Sequence, residues 1–149
     1  MNPIILLVED NPTDEKLTVR AFKRCPVPHE IVVARDGAEA LDYVFSTGPY
    51  AGREPPHDLR LVLLDLMLPR ISGIDVLRRL RADERTRSLP VVVLTASRED
   101  EDVINTYRFG ANAYVRKPVD FLEFAEAAAT IGTFWLSLNR PVPWWRDAR

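Results

Sequence analysis

The stretch Leu61–Pro69 reads L-V-L-L-D-L-M-L-P and places a single carboxylate, Asp65, among apolar residues and a proline. A carboxylate is costly to bury unless another group compensates its charge. Asp65 therefore either caps a following element or lies where a buried strand opens into a pocket. The residues before it, Leu61–Leu64, are apolar without alternation, which is typical of a strand that is covered on both faces.

Similar apolar runs recur along the chain and alternate with helical patterns. Further strands are predicted over Ile4–Val8, Ile31–Ala34, Val91–Leu94 and, more weakly, Ala113–Val115. Helical spacing of apolar residues predicts four helices, over Thr13–Arg24, Gly37–Phe45, Ser72–Arg81 and Asp100–Gly110. Ser97 is the predicted cap of the fourth helix, and a last helix is predicted to begin at Asp120. Five alternations of strand and helix predict an α/β fold with a parallel sheet between two layers of helices.

The composition is that of one folded domain. Of 149 residues, 46% are hydrophobic and 28% are charged, which is typical of soluble globular proteins. A formal net charge of −2 argues against binding to nucleic acid, because no basic surplus is available for the phosphates. Cys25 is the only cysteine, so an intrachain disulfide is excluded. The first apolar run, Ile4–Val8, is too short to span a membrane, and we expect a cytoplasmic protein with no membrane partner.

Polar side chains follow four of the five predicted strands, at the point where each strand ends. They are Glu9, Asp10, Asp65, Thr95 and Lys117. Since ligands of open parallel sheets bind beyond the carboxyl ends of the strands, we expect these side chains to converge. Three carboxylates at one edge need a cation, and hard oxygen ligands suit Mg²⁺ or Mn²⁺. Each residue taken singly also has an ordinary structural explanation, such as a helix cap or a solvated lysine.

The chain resembles the receiver domain of two-component response regulators from Ile4 to about Leu138. The resemblance rests on the motifs V-E-D (8–10), L-L-D-L-M-L-P (63–69) followed by Gly73, L-T-A (94–96) and Y-V-R-K-P (114–118). It implies a doubly wound, flavodoxin-like (βα)5 fold with strand order 2-1-3-4-5 and an extended C-terminal helix. We expect a receiver domain over residues 1–138 and a Pro/Trp tail over 139–149, without an output domain.

The resemblance implies a phosphorylation site at Asp65, which would accept a phosphoryl group from a partner histidine kinase. Asp10, Asp65 and the backbone carbonyl of Met67 would bind Mg²⁺, or Mn²⁺, with Glu9 acting through water. Met67 departs from the family pattern, in which this position is often polar. Its side chain cannot ligate the metal or orient water, so we expect a longer lifetime of the phosphoaspartate.

The resemblance also indicates which residues bind the phosphoryl group and which change conformation after phosphorylation. Lys117, Thr95 and Ala96 would bind the phosphoryl group, and Thr95 and Tyr114 would form a switch. The output surface would be the fourth helix, the fifth strand and the fifth helix. The protein would then be a signalling protein rather than an enzyme acting on a substrate.

The last helix carries more apolar surface than a sheet of this size covers. We predict a symmetric homodimer built on this helix, with an interface of Phe124, Ala128, Ile131, Phe134, Trp135 and Leu138. The long loop Thr47–His57 and the ending F-W-L-S-L-N-R-P (134–141) resemble the regulators that are partnered with phytochrome-type histidine kinases. Trp144 and Trp145 fold back on the dimer or contact the kinase, and the sequence does not choose between these.

Two other functions compete with this interpretation. A metal-dependent phosphatase of small phosphoesters can use a strand-end aspartate as nucleophile, but it usually needs a second acid two residues later, where Met67 stands. A receiver-like module could also dimerise and bind partners without phosphorylation. The complete set of strand-end polar residues argues against that module.

Overall fold

The apolar runs form a single five-stranded sheet in the computed structural model, which describes residues 2–144. The strands are β1 (Ile4–Val8), β2 (Glu30–Ala34), β3 (Leu59–Leu64), β4 (Val91–Thr95) and β5 (Ala113–Arg116). They are all parallel, in the order β2-β1-β3-β4-β5. The fold class and the strand order are therefore confirmed.

Five helices connect and follow the strands. They are α1 (Pro12–Phe22), α2 (Gly37–Phe45), α3 (Gly73–Ala82), α4 (Asp100–Arg108) and α5 (Phe121–Thr133). The chain continues beyond α5 as a π-helical turn, Phe134–Leu138, and a short 3-10 turn, Gly48–Tyr50, lies in the long loop before β3. No helix within residues 2–144 is long and apolar enough to cross a membrane.

Side-chain caps fix where four of the helices begin. The side chains of Asn11, Asp36, Ser72 and Asp120 accept backbone N–H groups at the starts of α1, α2, α3 and α5. The prediction that Ser97 caps α4 is wrong. Glu99 holds the cap position of α4 and makes no capping hydrogen bond through its side chain, whereas Ser97 hydrogen-bonds Glu99 N and Asp102.

The core consists of two clusters, one on each face of the sheet. Helices α1 and α5 cover one face, where Phe22 packs with residues of α5 and with alternate residues of the central strands. Helices α2 and α3 cover the other face, where Tyr43 and Leu77 pack against the remaining strand residues. Coverage on both faces explains why β4 is buried along its whole length.

Half of the predicted dimer interface lies in the core of a single chain, and this corrects the prediction. Phe124, Ala128 and Ile131 are 6%, 0% and 7% exposed and pack into the cluster between α5, α1 and the sheet. Their spacing of three and four residues marks the face of α5 that turns towards the sheet. Phe134 and Leu138 lie beyond the end of α5 and are 44% and 67% exposed.

The segment after the π turn crosses from one face of the sheet to the other. The core residues of α5 belong to the α1 side, whereas Trp144 is buried in the cluster on the α2 and α3 side. The indole Nε1–H of Trp144 donates to the carbonyl of Leu59, at the start of β3, at 3.1 Å. Trp144 thus packs into its own chain, and Trp145 lies outside the described residues.

Candidate functional site

The carboxyl ends of β1 and β3 place two carboxylates side by side. Val8 pairs with Leu64 in the parallel ladder, and the N–H of Asp65 donates to the carbonyl of Val8 at 3.2 Å. Glu9 and Asp65 follow these last paired residues and are only 1% and 7% exposed. The neighbouring Asp10 has an exposed side chain at the rim.

Gly73 allows α3 to begin directly against the backbone of Asp65. A Cβ atom at Gly73 would lie 2.2 Å from the carbonyl oxygen of Asp65 and 2.6 Å from Cα of Leu66. The N–H of Gly73 donates to the carbonyl of Leu66 at 3.1 Å. Since any side chain would push α3 away, this glycine holds the loop after β3 in its close turn.

The carboxylate of Asp65 is hydrogen-bonded at both oxygens. One oxygen accepts the Thr95 hydroxyl at 3.0 Å and the Met67 N–H at 3.1 Å, and the other lies 3.2 Å from Nζ of Lys117. Burial pushes the pKa of Asp65 upward, but the hydrogen bond with Glu9, the charge of Lys117 and these donors outweigh it and hold the pKa below its usual value. Asp65 therefore belongs to a cluster of polar side chains at the strand ends and does not cap a helix.

Lys117 lies at the centre of the site. Its ammonium is bound by Glu9 at 2.8 Å, by Asp65 at 3.2 Å and by Asp14 at 3.3 Å. Burial alone would lower the pKa of Lys117, but the hydrogen bond with Glu9 and the charges of Asp65, Glu9 and Asp14 outweigh it and raise the pKa. Asp14 is not among the predicted site residues, although its place in the first helical turn after the V-E-D motif is a usable signal.

Glu9 carries the most perturbed carboxyl group of the site. Burial, together with the hydrogen bond and the negative charge of Asp65, raises the pKa of Glu9 to about 7, against the opposing effect of Lys117. The shifts have opposite directions, so a proton taken up by the Glu9–Asp65 pair goes to Glu9 before Asp65.

The donor set fits a hard divalent cation that keeps several waters. Within residues 2–144 no three His, Cys, Asp or Glu side chains are gathered closely enough to hold a metal by themselves. Mg²⁺ does not need such a cage, because it commonly binds through one or two carboxylates and completes its shell with water and other oxygens. The oxygen atoms of the predicted ligands, Asp10, Asp65 and the Met67 carbonyl, have the chemistry that such an ion prefers. The Lys117 ammonium lies between Glu9 and Asp65.

The two proposed switch residues occupy different environments. Thr95 is fully buried, whereas Tyr114 is half-buried beside the loop after β4. The Tyr114 hydroxyl donates to the carbonyl of Ser97 at 3.2 Å, and the Tyr114 N–H donates to the hydroxyl of Tyr107 in α4 at 3.2 Å. Ala96, next to Thr95, is exposed at the rim of the site. The structure thus brings Glu9, Asp65, Thr95 and Lys117 into direct contact and leaves Tyr114 to the side.

The chain is similar in sequence to proteins of a known family. A family model described as the response regulator receiver domain matches residues 5–129. The chain is 42% identical to the probable methanogenesis regulatory protein FilR2 of Methanothrix harundinacea, over 92% of this chain and 86% of FilR2. It is 35% identical to the response regulator Rcp1 of Synechocystis sp., over 89% of this chain and 88% of Rcp1.

Solved structures with the same fold include regulators of phytochromes. The phosphorylated cyanobacterial phytochrome response regulator RcpA is similar with a TM-score of 0.85 and 36% identity, over 95% of this chain and 99% of RcpA. The bacteriophytochrome response regulator AtBRR is similar with a TM-score of 0.74 and 48% identity, over 94% and 99% of the two chains. The Mn²⁺-bound form of Rcp1 is similar with a TM-score of 0.83 and 33% identity, over 94% and 99%.

Proposed function

Because the chain belongs to the family of response regulator receiver domains, we propose that Asp65 accepts a phosphoryl group from a histidine kinase. The observation that carries this proposal is the environment of Asp65. Its carboxylate is nearly buried, keeps a low pKa, and lies within hydrogen-bonding distance of both Lys117 and Thr95. An ionised carboxylate on a rigid strand end is a suitable nucleophile for a phosphoryl group.

In the proposed reaction a carboxylate oxygen of Asp65 forms a bond to phosphorus as the bond from phosphorus to the kinase histidine breaks. The histidine nitrogen leaves with the electron pair. The Lys117 ammonium and the Thr95 hydroxyl donate to the phosphoryl oxygens, whose charge they offset. Asp10, Asp65 and the Met67 carbonyl would hold Mg²⁺ or Mn²⁺, with Glu9 acting through water, and the metal would neutralise further phosphoryl charge.

Phosphorylation would act on the surface formed by α4, β5 and α5. A phosphoryl group adds a charge of roughly −1.5 to −2 and strong acceptor oxygens. Thr95 would turn its hydroxyl from Asp65 to a phosphoryl oxygen, and Tyr114 would leave the Ser97 carbonyl and move inward. Since the backbone N–H of Tyr114 also donates to the Tyr107 hydroxyl, this movement would change the contact between β5 and α4.

Exposed apolar side chains around the site favour a protein as the phosphoryl donor. Met67, Val119 and Leu122 are 69%, 92% and 59% exposed, on the segments that follow β3 and β5. Exposed apolar side chains can be covered when another protein binds. The similarity to phytochrome response regulators supports a phytochrome-type histidine kinase as the partner.

We further propose a homodimer whose contact surface is the exposed end of the last helical segment. Phe134 and Leu138 line an apolar groove of about 390 Å³, together with Pro26 of the loop after α1 and with Ala129. Trp135 is half-buried beside them and stacks edge-on against Phe134. This surface replaces the larger interface that the sequence suggested.

Phosphoryl uptake in the presence of Mg²⁺ and acetyl phosphate tests the proposal. Intact mass spectrometry should find one added phosphoryl group on the wild type and on Asp75→Asn, a matched change in the first turn of α3. Asp65→Asn should gain none. If all three proteins lack the adduct, the phosphorylation-independent module is the better interpretation. An adduct on Asp65→Asn would place the acceptor elsewhere, and turnover of a phosphoester substrate would favour the phosphatase.

A further inference from the structure

The Lys117 ammonium has three N–H donors, and three carboxylates fill them. Glu9 and Asp65 extend from strand ends, and their side chains are only 2% and 9% exposed. The third carboxylate, Asp14, comes from the first turn of α1, and its side chain is 41% exposed. Lys117 is thus held between two buried carboxylates and one at the surface.

Asp14 differs from the other two carboxylates because it has no other role in the proposed phosphorylation reaction. In the proposed reaction Asp65 becomes the phosphoryl carrier and Glu9 would act on the metal through water, so both have another task. Asp14 is the carboxylate of the three whose hold on Lys117 does not compete with either task. We infer that Asp14 is a positioning residue for phosphoryl transfer, which holds the Lys117 ammonium in place beside Asp65; this inference rests on the proposed function.

The local structure fixes Asp14 for this role. The Asn11 side chain accepts the Asp14 N–H at 3.1 Å, so the cap of α1 holds the backbone of Asp14 beside the site. Lys117 reaches the site on a flexible four-carbon stem and needs fixed acceptors to stay in one place. The next residue, Glu15, pairs with Arg35 at 3.1 Å instead of with Lys117. Glu15 therefore provides a matched control with the same charge in the same helical turn.

The rate of phosphorylation by acetyl phosphate at saturating Mg²⁺ tests the inference. Asp14→Asn keeps an acceptor oxygen but removes the charge, and it should slow the reaction about threefold to tenfold, as expected for a half-exposed ion pair. Glu15→Gln should stay within about twofold of the wild type. In a Lys117→Met background, Asp14→Asn should have no further effect, because its partner is missing.

Mg²⁺ affinity, measured by calorimetry, gives a second readout that does not depend on turnover. Without the charge of Asp14 the ammonium binds more tightly to Glu9 and Asp65, so Asp14→Asn should weaken Mg²⁺ binding more than Glu15→Gln does. This difference should vanish in the Lys117→Met background. If Asp14 were merely structural, Asp14→Asn would lower the melting temperature and slow both backgrounds by the same factor.

The outcomes separate this inference from the proposed function. If the wild type gains no phosphoryl group, the proposed function fails and the inference fails with it. If the wild type is phosphorylated but Asp14→Asn behaves like Glu15→Gln, only the inference fails. Equal effects of Asp14→Asn with and without Lys117, on the rate or on Mg²⁺ affinity, would also overturn it.

Discussion

The hydroxyl of Thr95 donates a hydrogen bond to the carboxylate of Asp65 at 3.0 Å, which joins the carboxyl ends of β4 and β3. Thr95→Val removes this donor while Met67 N–H and Lys117 still bind the carboxylate. We expect Thr95→Val to gain the phosphoryl group but to lose the response of α4 and β5, because the link from the phosphoryl group to this surface is missing. Hydrogen exchange over residues 97–116, with and without acetyl phosphate, measures that response.

The control for Thr95 is Thr130→Val on α5, whose exposed hydroxyl donates to the carbonyl of Glu126 in its own helix. This variant should respond to acetyl phosphate like the wild type. Loss of one buried hydrogen bond should cost Thr95→Val about 1 kcal/mol of unfolding free energy. An unchanged exchange response in Thr95→Val would remove Thr95 from the switch.

The raised pKa of Glu9 predicts a pH dependence of stability in chelated buffer. The folded protein keeps a proton on Glu9 up to about pH 7, whereas the carboxyl of an unfolded chain releases it near its ordinary pKa of 4.5. The proton on Glu9 therefore stabilises the folded protein fully below about pH 4.5, and this stabilisation is lost as the pH rises through about 7.

The amide of Glu9→Gln does not titrate, so this variant should not lose stability in this way as the pH rises. The free energy of unfolding of Glu9→Gln relative to the wild type should rise by on the order of 2 kcal/mol between pH 5 and pH 8. Urea titrations at several pH values measure this, and the exposed Glu101→Gln serves as control. A flat difference across this range would mean that Glu9 ionises like an ordinary carboxyl group.

Arg81 joins the end of α3 to the turn between α4 and β5. Its guanidinium donates to the carbonyls of Gly110 and Leu89 at 2.8 Å and to the side-chain oxygen of Asn112 at 2.9 Å. Arg81→Met leaves these acceptors without their donor and should cost about 2–3 kcal/mol in urea unfolding. Arg79→Met, on the exposed face of the same helix, should change the stability by no more than about 0.5 kcal/mol. Equal costs for the two variants would show that the Arg81 hydrogen bonds contribute little.

Trp144 fastens the C-terminal segment to the start of β3. Since its side chain is buried and bonded to the Leu59 carbonyl, Trp144→Ala should cost about 3–5 kcal/mol of unfolding free energy. Trp144→Phe keeps much of the packing and should cost about 1–2 kcal/mol. Val142→Ala, at an exposed position two residues earlier, should be nearly neutral. If Trp144→Ala also proves neutral, the segment does not stay in the core in solution.

Much of the fold could be predicted from the sequence because both faces of the sheet are covered. A run such as Val91–Leu94 in β4 must then be continuously apolar, and the polar residue at the end of the strand marks the edge where ligands bind. The same reasoning predicts that Glu9, Asp65, Thr95 and Lys117 lie together at one edge of the sheet. Their contacts are consistent with that prediction.

Other features depend on contacts that a linear pattern does not contain. The contact between Asp14 and Lys117 joins residues 103 positions apart, and the bond between Trp144 and Leu59 spans 85 positions. For α5, the spacing predicted an apolar helix but not which stripe meets the sheet. Phe124 therefore looked like a dimer contact although it belongs to the core.

The exposed end of the last helical segment provides the test of the homodimer. Leu138 is 67% exposed and lines the apolar groove with Phe134, so Leu138→Glu places a charge where two copies would meet. We expect the wild type to elute as a dimer in size-exclusion chromatography with light scattering, and Leu138→Glu to dissociate with a Kd raised about 100-fold, as for a central contact residue. The dissociated variant should still be folded and show a cooperative thermal transition, because Leu138 is not part of the core.

Val142→Glu is the matched control, since Val142 is 54% exposed but does not line the groove. It introduces the same charge four residues later and should leave the dimer intact. Dissociation by both variants would indicate a broader interface that includes the crossing segment. A wild type that remains monomeric at high concentration would contradict the dimer and leave Phe134 and Leu138 as contacts for a different protein. For a dimeric wild type, repeating the measurement after phosphorylation of Asp65 shows whether phosphorylation and dimerisation are coupled. If they are coupled, phosphorylation must change the dissociation constant of the dimer.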